Sequence, residues 1–225
     1  WHSDYLTVKD IIASGELGRL VTLEIRYDRF RNYLRPNAWR EHDLPGSGIF
    51  FDLGAHLIDQ SLQLFGKPQG IFAYLRKMRE GVGAVDDFET ILLYPGLKVS
   101  VKGSMLIKEP TPRYALYGTE GAFVKQGVDP QEVALKEGKT PLNTENWGQE
   151  PEDIWGILNT TSENPDARRI IPSKRGNYPA YYENIRDVIN GSAELIVKPE
   201  EARDVIQLLV LGEQSSLEKR IVELS

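Results

Sequence analysis

Val21, Leu23, Ile25 and Tyr27 alternate with Thr22, Glu24, Arg26 and Asp28, a period of two that predicts a strand with one buried face. Strand-like runs follow at 71–78, 88–94, 97–106, 113–117 and 122–125, and a short one at 221–224 closes the chain. Pro95-Gly96 and Gly118-Thr119-Glu120-Gly121 supply tight turns between neighbours, so at least two antiparallel hairpins are expected. In the second strand of the first hairpin, Leu97, Val99 and Val101 alternate with Lys98, Ser100 and Lys102, which predicts a core face and a wetter one. Helices can cover only the apolar face, leaving a broad open sheet.

Helical spacing frames these strands. Leu6, Ile11 and Ile12 mark a first helix, with Ser3 or Asp4 as N-cap and Ser14-Gly15 as its stop. A second follows Gly46-Ser47-Gly48 and ends near Phe65-Gly66, and amphipathic helices are predicted at 179–189 and 199–217. The region 126–176 is the least regular. Asp129-Pro130-Gln131-Glu132 is a good helix start, whereas 143–165 reads as loops, with Trp147 and Trp155 as anchors.

Composition narrows the function classes. The 225 residues, 40% of them hydrophobic, suffice for a substantial core in one domain spanning 1–225. A net charge of −6 argues against a nucleic-acid surface, which needs clustered Lys and Arg, so a small polar ligand is the expected partner. No run approaches the roughly 20 apolar residues of a membrane span, and no membrane partner is expected. The absence of cysteine removes disulfides, thiolate metal sites and a Cys nucleophile, and fits a reducing cytoplasm, the expected location. Trp1 runs straight into helical spacing, which gives the expectation of a piece whose upstream part is missing.

The candidate chemistry lies at 52–59. An α-helix brings Asp52, His56, Asp59 and Gln63 into one stripe and turns Phe50, Leu53, Leu57, Ile58, Leu64 and Phe65 to the other side. A solvated helix face has the same pattern. Oxidation of a secondary alcohol, however, needs a group to take the hydroxyl proton, and histidine suits that task near neutral pH; an adjacent carboxylate can orient the ring or bind the hydroxyl. Just upstream, Arg29, Arg31, Arg35 and Arg40 mix with Tyr33 and Trp39 in a segment that reads either as a solvated loop or as one overhanging a polar ligand. His2 and His42, the other histidines, lack metal-motif spacing, so no metal is expected. No serine sits in a Gly-x-Ser-x-Gly elbow. Gly46-x-Gly48 meets Phe51 and Gly81-x-Gly83 meets Asp86 where a dinucleotide fingerprint needs its third glycine, so no cofactor-binding residue is expected in this chain.

The order of a helix ending Ser14-Gly15-Glu16-Leu17-Gly18, a strand, the Gly46-x-Gly48 turn and Asp52-x-Gly54-x-His56-x-x-Asp59 resembles the C-terminal domain of the glucose–fructose oxidoreductase/inositol dehydrogenase family. Ala38-Trp39-Arg40, Pro112-Arg113-Tyr114, the stretch from Phe123 to Glu132 and Trp147-Gly148 are similar to its NADP-dependent scyllo-inositol dehydrogenase branch. The resemblance implies an α+β domain, a mixed and mostly antiparallel open sheet with helices on one face. It implies a parent oxidoreductase that moves hydride between NADP or NAD and a polyol or sugar, with the nucleotide on an N-terminal Rossmann domain that also supplies a catalytic Lys in a Glu-Lys-Pro motif absent here. His56 is then the acid/base, Asp52 orients it and contacts substrate, and Arg40 and Tyr178 are secondary substrate-binding candidates. The isolated chain is expected to be catalytically silent without bound cofactor, and to form a homo-oligomer through the open sheet face. The rival is a non-catalytic ligand-binding or assembly module keeping the same sheet.

Overall fold

The computed structural model describes residues 1–161 and 167–224. Along the chain these form α1 (Ser3–Ser14), β1 (Leu20–Arg26), α2 (Ala55–Phe65), β2 (Gly70–Arg76), β3 (Asp87–Tyr94), β4 (Leu97–Ser104) and β5 (Tyr114–Gly118). There follow β6 (Gly121–Lys125), α3 (Gln131–Lys136), β7 (Gly156–Thr160), β8 (Ala167–Ile171), α4 (Pro179–Ile189), α5 (Pro199–Glu218) and β9 (Val222–Glu223). The chain divides into two compact units, Trp1–Leu20 with Tyr117–Lys198, and Val21–Leu116 with Pro199–Ser225. The α+β class and the mostly antiparallel pairing match the expectation.

In the second unit the strands run in the order β5-β1-β4-β3-β2-β9, with β1 and β4 parallel and the pairs β3–β4, β2–β3 and β2–β9 antiparallel. Leu23, Ile25, Val99 and Val101 are fully buried, as their alternation requires. The polar side of β4 is drier than expected: Ser100 is only 2% exposed. As a central strand, β4 has a neighbour on either side, and Lys102 reaches across to Glu24 at 3.3 Å and Glu89 at 3.0 Å. That face is a cross-strand ion ladder whose ends stay wet, since Lys98 is exposed and Glu89 is 48% exposed.

Helix α5 lies along β2. Ser215 Oγ accepts from the Ala73 N–H at 3.0 Å and Ser216 Oγ from the Leu75 N–H at 3.1 Å, so the helix satisfies strand donors beyond the two-residue pairing with β9. A Cβ on Gly212 of α5 would stand 2.7 Å from the Phe50 ring. The helix therefore closes directly over the residue that opens the candidate site.

In the first unit β8, β7 and β6 are antiparallel neighbours. β7 and β8 fall in and beside the stretch read as loops, and the part at 162–165 lies outside the described residues. In β7 the buried face carries Gly156 and Thr160 beside Leu158, while Ile157 points outward at 41% exposure. Gly15 ends α1 in the left-handed region as expected, but the N-cap position is His2, with Ser3 and Asp4 inside the helix and buried. The reason is long-range. Asp129 accepts the Ser3 N–H at 2.6 Å, meeting a helix-terminal donor from 126 residues away, and the Ser3 hydroxyl donates to Glu150 at 2.5 Å.

The region 126–176 thus builds a polar anchor for α1. Its centre is a fully buried ion pair, Lys125 Nζ to Glu150 Oε2 at 2.6 Å. Lys125 also donates to the carbonyls of Gln126 and Ile154, and Glu150 accepts from the hydroxyls of Ser3 and Ser173. Trp147 donates from its indole to Gln131 at 2.8 Å, as an anchor should. A buried pair this well satisfied is costly to break singly. Lys125→Met, which leaves the Glu150 charge uncompensated, is expected to destabilise the protein by about 3–5 kcal/mol, read as a lowered urea midpoint; an unchanged midpoint would remove the pair from its anchoring role.

Candidate active site

Asp52 and His56 sit at the junction of two helical forms. Phe50–Gly54 wind as one π-helical turn, and α2 continues from Ala55. The start of the turn is held on three sides. Ile49 N–H donates to the Val85 carbonyl at 2.8 Å, Phe50 is fully buried, and its ring meets Phe88 edge-on at 5.4 Å. Gly48, at φ +83°, lies so near the same backbone that a Cβ would stand 2.7 Å from the Val85 oxygen. Only glycine fits there.

Leu53, Leu57 and Ile58 are buried as the helical projection requires, and His56 is exposed. Asp52 lies within the π turn, which is wider than an α turn. Asp52 Oδ1 lies 3.4 Å from Arg40 Nε. Arg40 comes from the short 3₁₀ turn Trp39–Glu41, with its guanidinium 4.8 Å over the Trp39 ring. The structure therefore brings Arg40 to Asp52. His56 makes no hydrogen bond among the described residues; its electrostatic neighbour is Asp59. Burial pushes the Asp59 carboxyl above its ordinary value, assisted by the charge of Glu201 on α5, while His56 and a hydrogen bond from Gln63 draw it back. Among the described residues no group of three His, Cys, Asp or Glu could hold a metal ion.

Beside Asp52 is a cleft with arginines 29, 31, 35, 40 and 79 and with Glu41 in its wall. Four of those arginines stand out in the sequence, whereas Glu41, Arg79 and the Asp86 beneath them do not. Arg79 is buried, donates to Asp86 Oδ2 at 2.8 Å and to the Tyr33 carbonyl at 2.8 Å, and lies 3.7 Å from Glu41. Glu41 accepts the Arg35 N–H at 2.9 Å. The only local signal was the arginine-rich run itself; the partners that order it lie some 40 residues downstream.

Tyr178, the other secondary candidate, belongs to the first unit. It immediately precedes α4, donates its N–H to Gln131 Oε1 at 2.8 Å and sets its hydroxyl 3.1 Å from His2 Nε2. Its contacts there are those of the polar anchor around α1.

A family model described as the GFO/IDH/MocA C-terminal domain matches residues 5–124. The chain is 41% identical over 216 residues to the uncharacterized oxidoreductase YdgJ of Escherichia coli, covering 96% of this chain and 61% of that protein. It is 35% identical over 224 residues to scyllo-inositol 2-dehydrogenase (NADP(+)) IolW of Bacillus subtilis, covering 100% of this chain and 62% of IolW. A solved structure of yvaA from Bacillus subtilis superimposes with a TM-score of 0.94 at 35% identity, over 100% of this chain and 64% of that one. The chain thus spans about three-fifths of the curated relatives it matches. With its fold and most of its length shared in this way, the chain belongs to the GFO/IDH/MocA family, matching the model of its C-terminal domain.

Proposed function

We propose that this chain is the substrate-binding and oligomerisation domain of an NAD(P)-dependent oxidoreductase that acts on a secondary alcohol of a polyol or sugar. The observation that carries the reading is the exposed imidazole of His56 one turn beyond Asp52, on a helix whose remaining faces are largely committed to packing. In oxidation His56 takes the hydroxyl proton, and in reduction it returns it. Asp52 accepts a substrate hydroxyl at the cleft wall, where Arg40 fixes its carboxylate, and steers the ring through the bound substrate. The named activity of IolW on scyllo-inositol with NADP supports a polyol and that nucleotide over NAD.

The nucleotide itself does not fit the glycine turns described here. A pyrophosphate needs open backbone N–H groups at a helix start; the Gly83 N–H is already donated to the Glu41 carbonyl at 2.9 Å, and Gly48 is packed against the Val85 backbone. We therefore assign the nucleotide to a part of the parent protein outside this chain and the isolated chain to inactivity. The sheet face bearing Glu24, Lys102 and Glu89 is assigned to contact with a second copy, and the cysteine-free composition to a cytoplasmic setting.

In the full-length parent, His56→Ala is expected to lower kcat for polyol oxidation by about 10²- to 10⁴-fold, the usual worth of a positioned acid/base, with little change in nucleotide affinity. Asp52→Asn should lower it too, and the double variant should fall well short of the product of the two effects. Wild-type kcat in His56→Ala would remove His56 from the acid/base role, and a full-length parent that turns over no polyol would favour the non-catalytic module instead.

Asp59 provides a second outcome. Its folded carboxyl keeps its proton to higher pH than an unfolded one, so its contribution to stability is present below the ordinary value of 3.8 and is lost as pH rises through the raised value. Asp59→Asn cannot ionise, so it should stabilise the chain at pH 7 and give no advantage below pH 3.8, as read by urea midpoints at the two conditions. A variant less stable than wild type at neutral pH would contradict the burial of this charge.

A further inference from the structure

The arginines of the cleft outnumber what their carboxylates can absorb. Five arginines line it against Glu41 and Asp52, and with Asp86 beneath Arg79 included the cationic groups still lead by two, in a chain whose net charge is −6. Glu41 is shared by three of them, at 3.3 Å from Arg35, 3.7 Å from Arg79 and 3.9 Å from Arg31. The Arg31 distance is beyond a hydrogen bond. Arg29 lies over the Tyr27 ring at 5.1 Å and makes no carboxylate pair among the described residues. Each guanidinium carries five N–H donors, so the donors facing this cleft exceed its acceptors. Ile49, Val82, Val85 and Met105 supply apolar wall between them, which lowers screening and raises both the mutual repulsion of the cations and their attraction for an anion.

We infer that this cleft binds an oxyanion carried by the substrate, so that the polyol or sugar taken here bears a phosphate or carboxylate. Arg79 and Arg35 are spent on ordering the loop, whereas Arg29 and Arg31 keep donors for a bidentate contact. Asp52 stands in the same wall as acceptor for a hydroxyl of the same molecule. Anion and alcohol are then read side by side. The inference rests on the reading of Asp52 as substrate-facing, but its test uses binding and not turnover, so an inactive parent would leave the result interpretable.

The test is titration calorimetry of the 225-residue chain at low ionic strength with glucose 6-phosphate, glucuronate, glucose, inorganic phosphate and NADPH. Expected is saturable binding of glucose 6-phosphate or glucuronate at least tenfold tighter than glucose, weakened by added salt and weakened at least tenfold in Arg29→Gln/Arg31→Gln. Arg29→Lys/Arg31→Lys, which keeps the charges, should recover part of the loss. The comparison with glucose needs no variant and stands even if both pairs of substitutions unfold the loop. Equal binding of glucose, no saturable binding of either sugar anion, or an affinity untouched by the Gln pair in a folded protein would overturn the inference. Inorganic phosphate binding as tightly as the sugar anions would reduce the site to one for a free ion and overturn the substrate assignment, as would NADPH competing for it with higher affinity.

Discussion

The buried guanidinium of Arg79 is the group on which the candidate site depends. It is nearly excluded from solvent, and its charge is met by Asp86, whose second oxygen accepts the Met78 N–H at 2.6 Å. Its Nη1 donates to the Tyr33 carbonyl and lies 3.7 Å from Glu41. Glu41 receives the Arg35 N–H through its side chain and the Gly83 N–H through its carbonyl. One cation therefore ties two irregular segments together, the arginine-bearing loop after β1 and the turn before β3. Loops of this length are ordered only where their polar groups find such partners.

The same turn before β3 positions the chemistry. Val85, next to Asp86, receives the Ile49 N–H and leaves room for nothing larger than glycine at Gly48. From that fixed point the π turn begins at Phe50, whose ring is packed against Phe88 and close to Gly212 of α5, and it carries Asp52, which lines the cleft. Asp52 therefore faces Arg40, and His56 is left exposed beside Asp59. Irregular helical turns of this kind often occur at functional sites because they re-aim a side chain without breaking the helix.

How much of this was legible in the sequence follows from the range of each interaction. The period-two runs of β1, β3 and β4 and the apolar arcs of α2 and α5 report burial directly, so these elements appear where the pattern puts them. β7 shows no apolar alternation because Leu158 shares its buried face with Gly156 and Thr160 while Ile157 is exposed, and β8 shows none because it has arginines at its centre. The α1 cap was misplaced because its acceptor, Asp129, comes from the far side of the chain. Glu41, Arg79 and Asp86 look like ordinary surface charges in the sequence, and only the fold reveals that they are buried together. Asp52 and His56 were visible from their spacing. That Asp52 pairs with Arg40 was not, since a π turn leaves no mark in a hydrophobic pattern.

The exposure of His56, the residue proposed to move the substrate proton, allows a direct test. With no hydrogen-bond partner holding the ring among the described residues, free imidazole should reach the space left in His56→Ala of the full-length parent. The expected result is a saturable rise in polyol turnover with added imidazole in His56→Ala and none in wild type. No rise at any imidazole concentration, in a variant that still binds substrate and nucleotide as wild type does, would contradict the assignment.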